Sequence, residues 1–364
     1  MLNRKLGKNG PAVPAIGFGG MRFDHIENQA ECVELLQYAY AKGIRYFDTA
    51  PGYCQDQSEI RFGQGLQGLK DIVISTKCSD PQGAKVRETL EKSLTQLKRD
   101  KVSVFHIWYV LTMQAYEERL RGGAVEEALK MKAEGRFDHL YISTHLEGDD
   151  VIKILSSGIY DGVTLGYSPL NFKFRQAAIR YAREHGLAVV AMNPLAGGQI
   201  PKHPEKFSFL HRTGDRSLVE SSLRFDLTEP GISVALVGMG NKAHVDEAWA
   251  AIDATYAPWT PAEVASVEKT EGGRFAGLCT GCGYCEGCPE DIEIPKFMQA
   301  YNQKLLGDGD QGILDSLRWD FDIPPARFAD CTACLECEAK CTQHLPISQR
   351  MAEIAGLQPK ANWK

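Results

Sequence analysis

Eight of the chain's eleven cysteines fall after residue 278, in two runs. The first reads Cys279-Thr-Gly-Cys282-Gly-Tyr-Cys285-Glu-Gly-Cys288-Pro289, the second Cys331-Thr-Ala-Cys334-Leu-Glu-Cys337-Glu-Ala-Lys-Cys341. Three thiolates two residues apart can wrap one face of a cubane, and in two-cluster ferredoxins the fourth cysteine of each run ligates the other cluster. The spacing therefore predicts two [4Fe–4S] clusters. One would be held by Cys279, Cys282, Cys285 and Cys341, the other by Cys331, Cys334, Cys337 and Cys288. Two details depart from the usual pattern: the first run has two residues before its last cysteine, and Thr342 stands where proline often follows the second. Structural zinc also favours pairs of C-x₂-C, but four ligands per ion leave no use for three evenly spaced cysteines, repeated. Clustered thiols outside a disulfide framework point to a reducing compartment.

A second constellation lies upstream. Asp48 and Tyr53 sit in Tyr46-Phe-Asp-Thr-Ala-Pro-Gly-Tyr53, and Lys77 sits in Ser75-Thr-Lys-Cys78. Brought together, an acid, a phenol and a lysine make a proton-donor site. The ammonium can lower the phenol pKa, the carboxylate can hold the lysine, and the phenol can protonate a carbonyl oxygen. Each alone has a plainer reading, as an N-cap, a core residue or a solvated charge. Cys54 and Cys78 each directly follow a member of this set, yet burial is the simpler account of both, and Cys32 reads as core on a helix face.

These residues need elements to position them. Short β-branched and aromatic runs alternate with longer amphipathic stretches, the rhythm of repeated βα units. Strands are predicted at Ile16–Gly19, Arg45–Phe47, Ile72–Thr76, Val102–Trp108, Leu140–Ser143, Gly162–Gly166, Ala188–Met192 and Val234–Val237. Helices are predicted near 29–42, 57–67, 83–98, 115–134, 149–156, 174–185, 216–227 and 242–252. In the helix at 83–98, Val86, Leu90, Ser93, Leu94 and Leu97 form one stripe. Eight strands each followed by a helix is the count of a (β/α)8 TIM barrel, whose chemistry sits at the C-terminal strand ends. An open doubly wound sheet is disfavoured, since Gly17-Phe-Gly-Gly20 runs into Met21-Arg-Phe23 without a G-x-G-x-x-G turn. The fold class is thus α/β. The barrel is assigned to residues 1–272 and a cysteine-rich, ferredoxin-like iron–sulfur domain to 273–364. Arg274–Lys364 carries 13 acids against 9 bases, most of the chain's net charge of −6.

That acidity argues against nucleic acid as a partner. The polar start of the chain and the lack of an apolar run of about 18 residues argue against secretion and membrane insertion, so a cytoplasmic location is expected.

The sequence resembles the aldo-keto reductases over nearly its whole length. The resemblance is carried by Arg4-Lys-Leu-Gly7, Ile16-Gly-Phe-Gly-Gly-Met21, Tyr46-Phe-Asp-Thr-Ala50 with Tyr53, Ser75-Thr-Lys77, Asn193-Pro-Leu195 with Gly197-Gly198, and Val237-Gly-Met239. With its cysteine-rich tail it is similar to the subgroup bearing a C-terminal dicluster domain. The resemblance implies NADPH as hydride donor and a catalytic Asp, Tyr, Lys and His. Asp48, Tyr53 and Lys77 match three of the four. Trp108 stands in the histidine's place, with His106 two residues earlier on the same side of the strand. Gly20, Met21, Ser143, Asn193, Leu195, Gly197, Gly238, Asn241 and His244 fall at cofactor-contacting positions. The basic clamp for the 2′-phosphate is thinned to Lys242, with His244 where arginine often stands.

Together these features predict an iron–sulfur oxidoreductase acting on a small organic substrate, carbonyl-type or aromatic and apolar. Electrons would pass through the two clusters, supplied by a redox partner protein such as a ferredoxin, with NADP(H) as a further cofactor. The alternative is a non-hydride electron-transfer or assembly protein built on a divergent reductase barrel.

Overall fold

The apolar runs of the first two-thirds of the chain are buried on both faces, as parallel strands flanked by helices must be. In the computed structural model, a hairpin of β1 (Asn3–Lys5) and β2 (Ala12–Pro14) precedes eight further strands. These are β3 (Ile16–Gly19), β4 (Tyr46–Asp48), β5 (Val73–Cys78), β6 (Val102–Val110), β7 (Phe137–Thr144), β8 (Gly162–Gly166), β9 (Ala188–Met192) and β10 (Val234–Gly238). Each pairs in parallel with its sequence neighbour, and β10 closes on β3, so the eight form a closed barrel. The register sets Gly19 beside Asp48, Asp48 beside Ser75 and Lys77 beside His106. The structure describes residues 1–271, 273–275, 277–324, 327 and 330–357; the expected domain limit at 272 and the tail 358–364 lie outside them. Among the described residues no helix is long and apolar enough to cross a membrane.

Helix 83–97 shows how the shell is fastened. Its stripe Val86, Leu90, Ser93, Leu94 and Leu97 is buried throughout, and each aliphatic side chain so placed contributes roughly 1.5–3 kcal/mol. The barrel floor is closed by Leu6 and Val13 of the hairpin region, which pack with Tyr46, Val73, Val104, Tyr141 and Val234.

Three features differ from the sequence expectation. The hairpin β1–β2 was not anticipated, because strands of three residues carry almost no periodic signal. The single helix expected at 115–134 is two, Met113–Arg121 and Ala124–Ala133. The break falls at Gly122-Gly123, where Gly123 adopts φ +82° and a side chain at Gly122 would strike the Pro81 carbonyl at 2.2 Å. Finally, β6 runs past Trp108 to Val110, with a bulge between Ile107 and Val110 and Tyr109 at φ +64°.

Two compact units result: Met1–Leu195 with Ser208–Ala265, and Ala196–Phe207 with the chain from Ser266 onward. The second unit carries the helices Ile294–Gln303, Gly309–Trp319, Glu336–Ala339 and Ile347–Ala355, and no strand among its described residues. Phe297, Met298, Ile313, Leu317, Ile347 and Met351 make its core, which also holds Cys279 and Cys285.

Candidate active site and cysteine centre

The barrel mouth gathers Asp48, Tyr53, Lys77 and Trp108. Asp48 ends β4 in register with Ser75, and Lys77 lies two residues further along β5 on the same strand face. Lys77 Nζ donates to Asp48 Oδ2 at 2.6 Å and to the Thr49 carbonyl at 2.8 Å. Ser75 Oγ donates to the other carboxylate oxygen, Oδ1, at 2.5 Å. The ion pair is almost fully buried, with side-chain exposures of 2% and 3%. Such a pair holds position because each charge would be costly alone.

Lys77 Nζ also lies over the Tyr53 ring, 4.8 Å from its centroid. The ammonium thus meets the ring face. Burial, then the Asp48 carboxylate, push the Tyr53 phenol well above its ordinary pKa, with Arg22 pulling the other way. The sequence had suggested a phenol lowered by lysine; the geometry gives one raised by burial and a carboxylate. Its hydroxyl keeps its proton and is a donor. Lys77 itself is pulled below its ordinary value by burial, against the opposing pull of Asp48.

Trp108 stands edge-on to Tyr53, ring centroids 5.6 Å apart at 89°, and 6.1 Å from Tyr109. The bulge that turns these rings is held by Arg119, whose guanidinium donates to the carbonyls of Trp108 at 3.1 Å, Tyr109 at 3.2 Å and Ser79 at 2.8 Å. His106 is elsewhere. Its ring is fully buried, Nδ1 bonded to the Thr76 carbonyl at 3.2 Å and Nε2 to Thr164 Oγ1 at 2.9 Å. Burial and the Lys77 ammonium push it down to about 4, so it is neutral. Cys32, Cys54 and Cys78 are all raised by burial and remain thiols.

The residues expected to contact a dinucleotide lie at or just after the C-terminal ends of β3, β7, β9 and β10, with Gly197 in the second unit. Gly20 donates its N–H to the Asp48 carbonyl at 2.8 Å, while its own carbonyl accepts from Ser58 Oγ at 2.7 Å. Met21 and Leu195 are half-buried, Ser143 is buried near the end of β7, and Asn193 turns the chain at φ +58°. Gly197 belongs to the second unit, where a Cβ would come within 2.1 Å of the Thr280 carbonyl. Around Gly238, Asn241 and His244 the polar groups are already engaged. Asn241 caps helix 242–250 through the His244 N–H at 3.1 Å and donates to Asp24 Oδ2 at 2.8 Å. The Gly240 N–H donates to His244 Nδ1 at 3.1 Å, and Lys242 is paired with Glu34. A cavity of about 440 Å³ here is lined by Asp24, Glu31 and Glu34 beside Asn241 and Lys242. Three carboxylates thus line it, and Lys242, the base expected near a 2′-phosphate, is paired with Glu34 on the exposed surface.

In the second unit, Cys279, Cys282, Cys285 and Cys341 come within electrostatic reach of one another, although Cys341 arrives from 53 positions beyond Cys288. Cys337 and Cys331 interact likewise. Cys288, Cys331, Cys337 and Cys341 pack on the core, and Cys334 is exposed. Burial pushes Cys279 and Cys285 up to about 12 and Cys337 to about 11, so an unligated thiol there stays protonated. The two runs also share a backbone. Gly281 and Gly283 flank Cys282 at φ +63° and +79°, and Ala333 and Leu335 flank Cys334 at +52° and +64°. Left-handed residues among right-handed ones turn N–H groups inward into the concavities that receive anions and iron–sulfur centres. The Gly281 and Leu345 N–H groups donate to Cys279 and Cys341 sulfurs, both at 3.4 Å. Thr342, at the usual proline position, sets its hydroxyl 3.5 Å from Cys282 sulfur. Among the described residues no three His, Cys, Asp or Glu side chains close around one point as ligands of a single ion would.

The sequence reading missed Ser75, Thr164, Tyr109 and Arg119. Ser75 had a signal, two residues from Lys77 and therefore on the same strand face. Tyr109 had none, because a left-handed tyrosine in a bulge is invisible in residue type.

The family model described as Aldo/keto reductase family matches residues 15–270. L-galactose dehydrogenase of Arabidopsis thaliana is 25% identical over 291 residues, covering 68% of this chain and 87% of that protein. The NADH-specific methylglyoxal reductase of Escherichia coli is 26% identical over 217 residues, covering 54% of this chain and 65% of its own. Among solved structures, the aldo-keto reductase of Klebsiella pneumoniae in complex with NADPH superposes with TM-score 0.63 at 21% identity, over 74% of this chain and 96% of that one. That likeness speaks for the fold, and the relatives for oxidoreductase chemistry. The chain belongs to the aldo/keto reductase family.

Proposed function

We propose that this is an iron–sulfur oxidoreductase, in which residues 273–364 hold two [4Fe–4S] clusters and the barrel reduces or oxidises a small carbonyl-type substrate with an aromatic or apolar body. The observation that carries the reading is the gathering of Cys341 with Cys279, Cys282 and Cys285, the quartet that ferredoxin spacing requires. When bound, such clusters pass electrons singly. The chain's own residues do the rest. Tyr53 donates its proton to the substrate oxygen, Lys77 and Asp48 hold the phenol in place from beneath, and Trp108 and Tyr109 offer apolar walls to a flat body. Reduction of a carbonyl to an alcohol takes two electrons and two protons; Tyr53 supplies the proton at oxygen and solvent water the one at carbon. The electrons come from a one-electron redox partner of the ferredoxin class. A neighbour in fold binds NADPH, and NADP(H) is a further cofactor of this reading, with the carboxylates of the cavity favouring the form that lacks a 2′-phosphate.

The test uses anaerobic protein and a panel of aromatic and aliphatic carbonyls, with dithionite-reduced methyl viologen or NADPH as donor. The reading expects viologen-linked turnover that Tyr53→Phe lowers roughly 10²–10⁴-fold. The second reading, a non-hydride electron carrier or assembly protein, is favoured by the tryptophan in the histidine's place. It expects no carbonyl turnover with either donor.

A further inference from the structure

One guanidinium holds the bend that shapes the barrel mouth. The β5–β6 ladder ends at the pair Cys78 and Ile107, and β6, paired with β7 through Ile107 and Ile142, meets it again at Val110 and Thr144. The extra residue on β6 is taken up at Trp108-Tyr109, where Tyr109 stands at φ +64°. A tyrosine keeps that conformation only where its surroundings over-determine it. On one side the bend is fastened to β7, whose Thr144 hydroxyl donates to the Val110 carbonyl at 2.8 Å.

On the other side stands Arg119, from the helix Met113–Arg121, which is 5% exposed. Its Nε donates to the Trp108 carbonyl at 3.1 Å and its Nη1 to the Ala115 carbonyl at 2.7 Å. Its Nη2 donates to the carbonyls of Ser79 at 2.8 Å and Tyr109 at 3.2 Å. A guanidinium offers its N–H donors in one rigid plane, and these bonds all go to main-chain oxygens. The clamp therefore fixes backbone, and through it the direction of the two side chains that the bend carries. The result is a corner of two rings. Trp108 is edge-on to Tyr53, centroids 5.6 Å apart, and stands at 84° to Tyr109. Both residues of the bend are half-buried, so each keeps surface for a ligand. A flat aromatic body can lie on one such ring and meet the edge of the other, contacts that a puckered aliphatic ring does not make.

We propose that Arg119 is a positioning residue that sets the preference of this site for flat aromatic carbonyl compounds, by holding Trp108 beside the proton-donating Tyr53. This rests on the reading of the barrel as a site for carbonyl substrates. Arg119 acts through the β6 backbone and not on the reacting atoms.

The experiment compares acetophenone with cyclohexyl methyl ketone, similar in size but one flat and one puckered. It uses anaerobic full-length protein with reduced methyl viologen or NADPH as donor. Wild-type protein should favour acetophenone in kcat/KM. Arg119→Met should lower that preference about five- to tenfold, the worth of one aromatic pair, through KM rather than kcat. Arg119→Lys, whose compact ammonium cannot span the same carbonyls, should lower it by less, and decides the matter if the Met variant does not fold. In a Trp108→Ala background Arg119→Met should change the preference no further, because residues acting through one contact are not additive. Additive effects would make the arginine general scaffolding and overturn the proposal. So would a wild type that uses both ketones alike, or a preference that both variants leave in place. If wild-type protein turns over neither ketone with either donor, the functional reading fails. The positioning role is then decided by calorimetric binding of the two ketones to the same variants, with the same ratios expected and the same results overturning it.

Discussion

His106 is a histidine by type and a core residue by placement. Its two ring nitrogens are spent on the Thr76 carbonyl and Thr164 hydroxyl, and burial with the Lys77 charge pushes it down to about 4. In the unfolded chain the ring takes up a proton near pH 6.5. The stability carried by the neutral ring is thus complete above pH 6.5 and is lost as pH falls through 4, a sum of roughly 3 kcal/mol. Urea unfolding of the barrel across this window should show that slope in the wild type, and His106→Gln should remove it. An equal slope in both proteins would mean that another group titrates. Asp48, Tyr53 and Lys77 were legible at this scale because strand ends of a barrel expose what they carry. The raised Tyr53 was not, since its pKa follows from its burial and from the Asp48 carboxylate beside it.

At the scale of elements, periodicity located every barrel strand and the helical shell, and missed what depends on single backbone angles. The bulge in β6 is one such feature. Tyr109 at φ +64° and the Arg119 clamp turn Trp108 onto Tyr53, whereas a regular strand would have pointed it by simple alternation. The segment 196–207 is another. Gly197 reads as a cofactor contact by motif, yet it packs on Thr280 beside the first cysteine run. The start of helix 242–250 yields a prediction. With Asp24, Glu31 and Glu34 lining the cavity and Lys242 committed to Glu34, a 2′-phosphate meets negative charge, while a ribose 2′-hydroxyl meets acceptors. Fluorescence titration should find NADH bound at least tenfold tighter than NADPH, about 1.4 kcal/mol. Glu34→Gln, which frees Lys242, should narrow the ratio. Equal or tighter NADPH binding by the wild type would contradict this account of the cavity.

For the whole molecule, the barrel supplies a proton-donor site and the second unit supplies thiols, so the chain's chemistry depends on what those thiols hold. The cysteine spacing was readable from sequence because ligand geometry is local within each run. The return of Cys341 to the first run was readable only through the ferredoxin rule, and the shared left-handed turns at Gly281, Gly283, Ala333 and Leu335 were not readable at all. Two of those four are glycines, and the other two accept a conformation that costs about 1–2 kcal/mol per residue. Matching left-handed turns in both runs suit two matching occupants. The direct measurement is iron and acid-labile sulfide on anaerobically purified full-length protein, with the visible spectrum before and after dithionite. Two [4Fe–4S] clusters predict about eight iron and eight sulfide per chain and a brown colour that bleaches on reduction. Stoichiometric zinc in a colourless protein would contradict the account.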